Sequence, residues 1–145
     1  MNARKYALWG GIAMLAMGLI SMIPNLVGST EGLPTLLIET SYGRFLNLFP
    51  MNILNKVALM AFGIWGILVS QDSIRAMEGS ITFSKTVFYV MGVLAILGLI
   101  PQTNTLFGYW PLFGGEIFVH AIFALLGGYV VFSKNVAISN TTGMA

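Results

Sequence analysis

Four long stretches of this chain, at residues 6–23, 51–70, 82–100 and 113–132, are apolar and nearly free of charge, and they constrain its fold more than any other feature. Each approaches the ~20 residues that a helix, rising about 1.5 Å per residue, needs to cross a bilayer core. Transmembrane strands would instead alternate over about 10 residues. Without water, a spanning segment must satisfy its own backbone, which a helix does internally. The stretches therefore predict an all-α fold: a single integral membrane domain over residues 1–145, folded as a four-transmembrane-helix bundle.

Composition agrees. Only 8% of the residues are charged, against about a quarter in soluble domains. So few ionisable groups cannot cover a folded surface, so the lipid bilayer is the expected surrounding. Seven basic and five acidic residues are spread thinly, which argues against a nucleic-acid partner. The chain has no cysteine, which removes disulfides, thiolate metal sites and Cys nucleophiles.

The N-terminal stretch, flanked by Arg4 and Lys5, could be read as a signal peptide, but it exceeds a typical apolar region and Val27-Gly28-Ser29 is a poor cleavage site. It is expected to be retained as a span. Arg4, Lys5, Arg75, Lys85 and Lys134 fall on one side of the expected topology, and Arg44 and Lys56 on the other. That asymmetry predicts both termini in the cytoplasm, in a bacterial inner membrane or an internal photosynthetic membrane.

The links differ in character. Residues 71–80 are short and charged, and residues 101–112 are uncharged and carry Tyr109 and Trp110, types enriched at headgroup depth. Residues 24–50 contain prolines and glycines but are too apolar for a free loop, so an interfacial segment is expected between the first two spans. Within it, a helix over residues 35–48 would align Ile38, Tyr42, Phe45 and Phe49 in one stripe.

An internal repeat organises the chain. Leu15-Ala16-Met17-Gly18-Leu19-Ile20, Phe49-Pro50 and Gly63-Ile64-Trp65-Gly66 in the first half correspond to Leu94-Ala95-Ile96-Leu97-Gly98-Leu99-Ile100, Trp110-Pro111 and Gly127-Gly128-Tyr129 in the second. Two tandem helical hairpins of equal orientation follow. Ala7 with Gly11, Ala124 with Gly128, and the Gly92, Ala95, Gly98 row allow close helix approach and association with other subunits or copies.

Ionisable groups inside spans mark candidate sites. Glu116 and His120 stand four apart at the start of the fourth span and share a face. Lys56, with Asn52 and Asn55 beside it, starts the second span on the same side, so a Lys56–Glu116 pair across the bundle is expected, snorkelling of Lys56 being the alternative. Asn52, Asn55, Lys56, Glu116 and His120 thus form the candidate polar cluster. His120 is the one candidate cofactor ligand; as a lone imidazole it could hold a haem or pigment only with a second ligand from elsewhere. No cofactor is required by these residues, and the nine methionines read as packing fillers. No nucleophile with its base, phosphate loop or carboxylate pair points to an enzyme.

The stretch Tyr42-Gly43-Arg44-Phe45-Leu46-Asn47-Leu48-Phe49-Pro50-Met51-Asn52-Ile53-Leu54-Asn55 resembles the signature of a family of small four-span bacterial membrane proteins, frequent in photosynthetic bacteria and catalogued as a domain of unknown function. The resemblance implies a helix carrying histidines after this stretch and an acidic residue four before a His in the last span. Glu116 and His120 match the second feature, whereas Asn55 and Leu59 stand where the first would place histidines. The function expected is that of a non-enzymatic accessory or scaffold subunit of a membrane complex. A small transporter or channel, or a pigment- or haem-binding protein, are the alternatives.

Overall fold

The computed structural model describes residues 1–133. The C-terminal tail, with Lys134 and its place in the charge asymmetry, lies outside the described residues. Four helices make the body: α1 (Ala3–Ile20), α2 (Ile53–Gln71), α3 (Ala76–Leu99) and α4 (Gly115–Phe132), with a small antiparallel pair, β1 (Gly43–Phe45) and β2 (Phe49–Met51), between the first two. The fold is all-α apart from that pair. Helices α2, α3 and α4 are long and apolar enough to cross a membrane, as expected of a membrane protein. Their outward faces carry exposed Leu68, Ile96, Phe118 and Leu125, which suit a lipid surrounding.

Element boundaries shift for identifiable reasons. Asn2 caps α1 by accepting from Lys5 N at 3.0 Å, so the helix begins at Ala3, takes Arg4 and Lys5 into its first turn, and ends at Ile20 instead of residue 23. The charged link after α2 is shorter than expected. Asp72 accepts from the backbone N–H groups of Ile74 and Arg75, closing a tight turn that lets α3 start at Ala76, inside the expected link. The same two hydrogen bonds hold the Asp72 carboxyl below its ordinary range.

The helix expected over residues 35–48 does not form. Leu46 and Asn47 adopt left-handed backbone (φ 52° and 59°), which reverses the chain and pairs Phe45 with Phe49, Arg44 with Pro50 and Gly43 with Met51. Val27 bridges to Phe45 on the other edge, where Gly28 N donates to Arg44 O at 2.9 Å and Leu46 N to Leu26 O at 2.8 Å. Most of the preceding stretch is irregular, and it is fastened to the second long link by Leu37 N donating to Gly108 O at 2.7 Å. The interfacial segment is thus a folded cap lying over one end of the helices.

Glycines set the helix packing. α1 and α2 run antiparallel, with Ala7, Gly11 and Gly18 opposite Gly66, Gly63 and the backbone of Lys56. A β-carbon on Gly11 would lie 2.8 Å from Gly63 O, and one on Gly63 would lie 2.7 Å from Gly11 O, so the two backbones touch. α3 and α4 also run antiparallel, with Ser84 and Phe88 against Gly127 and Gly128. Tyr6 lies at the centre and ties α1 to α4 by donating to Phe123 O at 2.7 Å, while its ring packs on Phe83, which also meets Trp65 edge-on. At the end of the bundle remote from the cap, Arg4 Nε donates to Ser70 O at 2.9 Å.

Gly63→Ala should separate α1 from α2 and lower stability by about 1–3 kcal/mol, the usual cost of overpacking. Gly92→Ala, whose β-carbon would meet only Ala124 Cβ at 3.8 Å, should be near neutral. Thermal unfolding of both variants in mild detergent, side by side, checks the contrast.

Candidate functional site

Helix α2 begins where β2 ends, and the residue between them is Asn52, fully buried. The first N–H groups of a helix need acceptors from outside it. Asn52 Oδ1 accepts from Leu54 N at 3.0 Å and Asn55 N at 3.4 Å, and Asn55 Oδ1 accepts from Asn52 N at 3.0 Å. This is a capping box with Asn in the place usually held by Glu or Gln.

Each amide keeps an NH2 group with two donors. Asn52 Nδ2 donates to Ile38 O at 3.0 Å and Tyr109 O at 2.8 Å; Asn55 Nδ2 donates to Pro111 O at 3.1 Å and Glu116 Oε2 at 3.2 Å. Two side chains therefore bind both long links and the start of α4. Gly114 allows that start: with φ 63° it turns the chain into α4, and Gly115 packs against Leu48 O and the Phe49 ring.

Glu116 lies in the first turn of α4, 1% exposed, with Oε2 3.8 Å from His120 Nε2. That separation is too long for a direct hydrogen bond. The structure thus brings together four of the five residues proposed from sequence: Asn52, Asn55, Glu116 and His120.

Lys56 is the exception, and its expected pairing with Glu116 does not form. Successive helical residues point about 100° apart, so with Asn55 facing Glu116, Lys56 turns away. It is buried, and its ammonium donates to Ser41 O at 2.9 Å and Ser41 Oγ at 2.7 Å. Ser41 has left-handed backbone, φ 56°. Just beyond it, Tyr42 donates to Pro34 O at 2.9 Å; burial first, and the nearby Glu39 carboxylate second, push its phenol above the ordinary range, with Arg44 opposing.

Ser41 and Trp110 belong to the site but not to the set proposed from sequence. Trp110 reads from sequence as a headgroup-depth aromatic, yet its indole nitrogen is buried. Its only sequence signal is the following Pro111, the counterpart of Phe49-Pro50. Trp110, Glu116, His120 and Asn55 line a cavity of about 30 Å³ together with apolar side chains of α2 and α3, among them Leu59, Phe62 and Met91. Among the described residues no group of three His, Cys, Asp or Glu side chains could hold a metal ion.

Asn52→Ala should cost about 1–3 kcal/mol, because it removes a helix cap and takes the donor from two partly buried carbonyls, Ile38 O and Tyr109 O. Asn52→Asp, which can still cap but cannot donate to Ile38 and Tyr109, should recover only part of the loss. Denaturant unfolding in detergent reads both variants.

Compared with known protein families, the chain matches the one described as Domain of unknown function (DUF4383) over residues 4–133. No curated protein and no solved structure matches the chain.

Proposed function

The chain belongs to the DUF4383 family, and we propose that it serves as a non-enzymatic accessory or scaffold subunit of a larger membrane complex. The observation that carries this reading is the use made of the polar cluster. The amides of Asn52 and Asn55 are committed on every hydrogen-bonding group to the protein's own backbone or to Glu116, and Lys56 is committed to Ser41. Groups employed in this way hold an end of the bundle together and are not free to pass a solute along. The adjoining cavity of about 30 Å³ has the size of one or two water molecules, far below that of a macrocycle.

In this reading α1 is the fourth span, and α1–α2 and α3–α4 are the two tandem hairpins of the repeat. The antiparallel, glycine-mediated packing within each pair supports that arrangement. Both termini are cytoplasmic, in a bacterial inner or internal photosynthetic membrane, which places the cap and Lys56 on the opposite side. An apolar groove of about 390 Å³ between α1, the β1–β2 turn and α4, lined by Met17, Phe45, Phe49, Val119 and Phe123 among others, supports a face for a neighbouring subunit.

Purification from the native membrane in mild detergent should give the protein with other subunits or copies, read by native gel and mass spectrometry. A lone monomer at native expression would overturn the proposal, and a coloured preparation whose visible band disappears in His120→Ala would replace it with a pigment- or haem-binding role.

Orientation has its own check, since the chain carries no native cysteine. In intact cells an impermeant thiol reagent should label Thr105→Cys and leave Asn140→Cys untouched. The reverse pattern would invert the topology.

A further inference from the structure

Three buried polar atoms near the start of α4 have no hydrogen-bond partner among the described residues: Glu116 Oε1, His120 Nδ1 and Trp110 Nε1. The side chains that carry them line the same 30 Å³ cavity, and Glu116 and His120 are 1% and 4% exposed. Buried polar groups in proteins are almost always paired, and in a bilayer no bulk water reaches those that are not.

The chemistry of the three atoms restricts what can complete them. An indole N–H is only a donor, and the carbonyl oxygen of a carboxyl group is an acceptor whether or not the group is ionised. His120 turns Nε2 toward Glu116 Oε2 at 3.8 Å, beyond direct hydrogen bonding; in the tautomer with its proton on Nε2, which the proposal below assigns, Nδ1 is a lone pair. With Glu116 Oε1 as acceptor and His120 in that tautomer, the side chains around the cavity offer one donor and two acceptors. A cation would meet the indole N–H, and an anion would meet the lone pairs of Glu116 and His120. A neutral molecule with two O–H donors and a free lone pair answers all three.

Size points the same way. A polar cavity of roughly 10–15 Å³ is enough to hold a water molecule, which typically makes about three hydrogen bonds to otherwise unpaired groups.

We propose that this cavity is a water site, in which one molecule accepts from Trp110 Nε1 and donates to Glu116 Oε1 and His120 Nδ1. The water joins Trp110 in the second long link to His120, and through Glu116 to Asn55 and the cap of α2, so that one hydrogen-bonded chain connects three separate parts of the sequence. Trp110 is held in place for this role by its own backbone, with Trp110 N donating to Thr105 O at 2.9 Å and Leu112 N to Asn104 O at 2.8 Å.

Nuclear magnetic resonance on the full chain in micelles, labelled with 15N at tryptophan and histidine, tests the site with water itself as the probe. The Trp110 indole proton, assigned by its loss in Trp110→Phe, should exchange slowly with solvent and show cross-relaxation to a long-lived water. His120 should carry its proton on Nε2, with Nδ1 at the shift of a hydrogen-bonded acceptor. In Trp110→Phe the water loses a partner, and the His120 Nδ1 resonance should move. A slowly exchanging indole proton without water contact would overturn the site, as would fast exchange with bulk or a proton on Nδ1. If Trp110→Phe fails to fold, the resonance that persists in both Trp9→Phe and Trp65→Phe is that of Trp110, and the wild-type measurement then decides the matter.

Discussion

Asn52 and Asn55 exchange hydrogen bonds at the start of α2, and because each amide still has its NH2 group to donate, the same two residues hold the carbonyls of Ile38, Tyr109 and Pro111. Irregular backbone next to a bilayer is tolerated only where its polar groups find partners inside the protein. The two long links consist largely of such backbone, and they lie together over one end of the helices. Without the two amides, three carbonyls, that of Pro111 buried and those of Ile38 and Tyr109 partly so, would lose these donors. The same pair reaches α4, since Asn55 Nδ2 also donates to Glu116 Oε2.

Along the length of the bundle a different economy applies. Lipid tails are as apolar as leucine, so helices gain little from burying apolar surface against each other and rely on close contact. Gly11, Gly63 and Gly66 let α1 and α2 meet backbone to backbone. Each interior glycine gives up about 1 kcal/mol of helix propensity relative to alanine, and the contact it permits must offset this. Tyr6 adds a fixed polar link by donating to Phe123 O, which joins the first helix to the last across the core. Glycine packing and a few buried polar anchors thus hold the helix backbones in direct contact.

The five polar residues conspicuous in the spans divide by what they touch. Asn52 and Asn55 are structural in the sense that every hydrogen-bonding group they have is engaged. Lys56, one residue further on, serves the cap through Ser41 and has no part in the Glu116–His120 contact. Glu116 and His120 alone retain unengaged polar atoms, and these gather with the Trp110 indole around one small cavity.

Much of this was determined by sequence alone. Apolar length dictates the helices, and polar groups at the starts of α2 and α4 fall at the same end of the bundle because both helices begin there. Other features depended on the tertiary structure. Phe45 and Phe49, four residues apart, would adjoin on a helix face, but they equally face each other across a tight turn, and their rings lie 6.3 Å apart by the second route. Apolar spacing cannot distinguish these cases; the left-handed backbone at Leu46 and Asn47 decides between them, held by pairing with Val27 and Gly28 from a distant part of the chain. Lys56 was assigned the wrong partner for a related reason. Sequence places it at the right depth, but its direction around the helix depends on which neighbour faces α4, and a few ångströms of packing award that place to Asn55. The burial of Trp110 nitrogen likewise arises only when the second link folds down onto α2, since an aromatic residue beside a proline reads the same whether it lies in the headgroups or in the wall of a cavity.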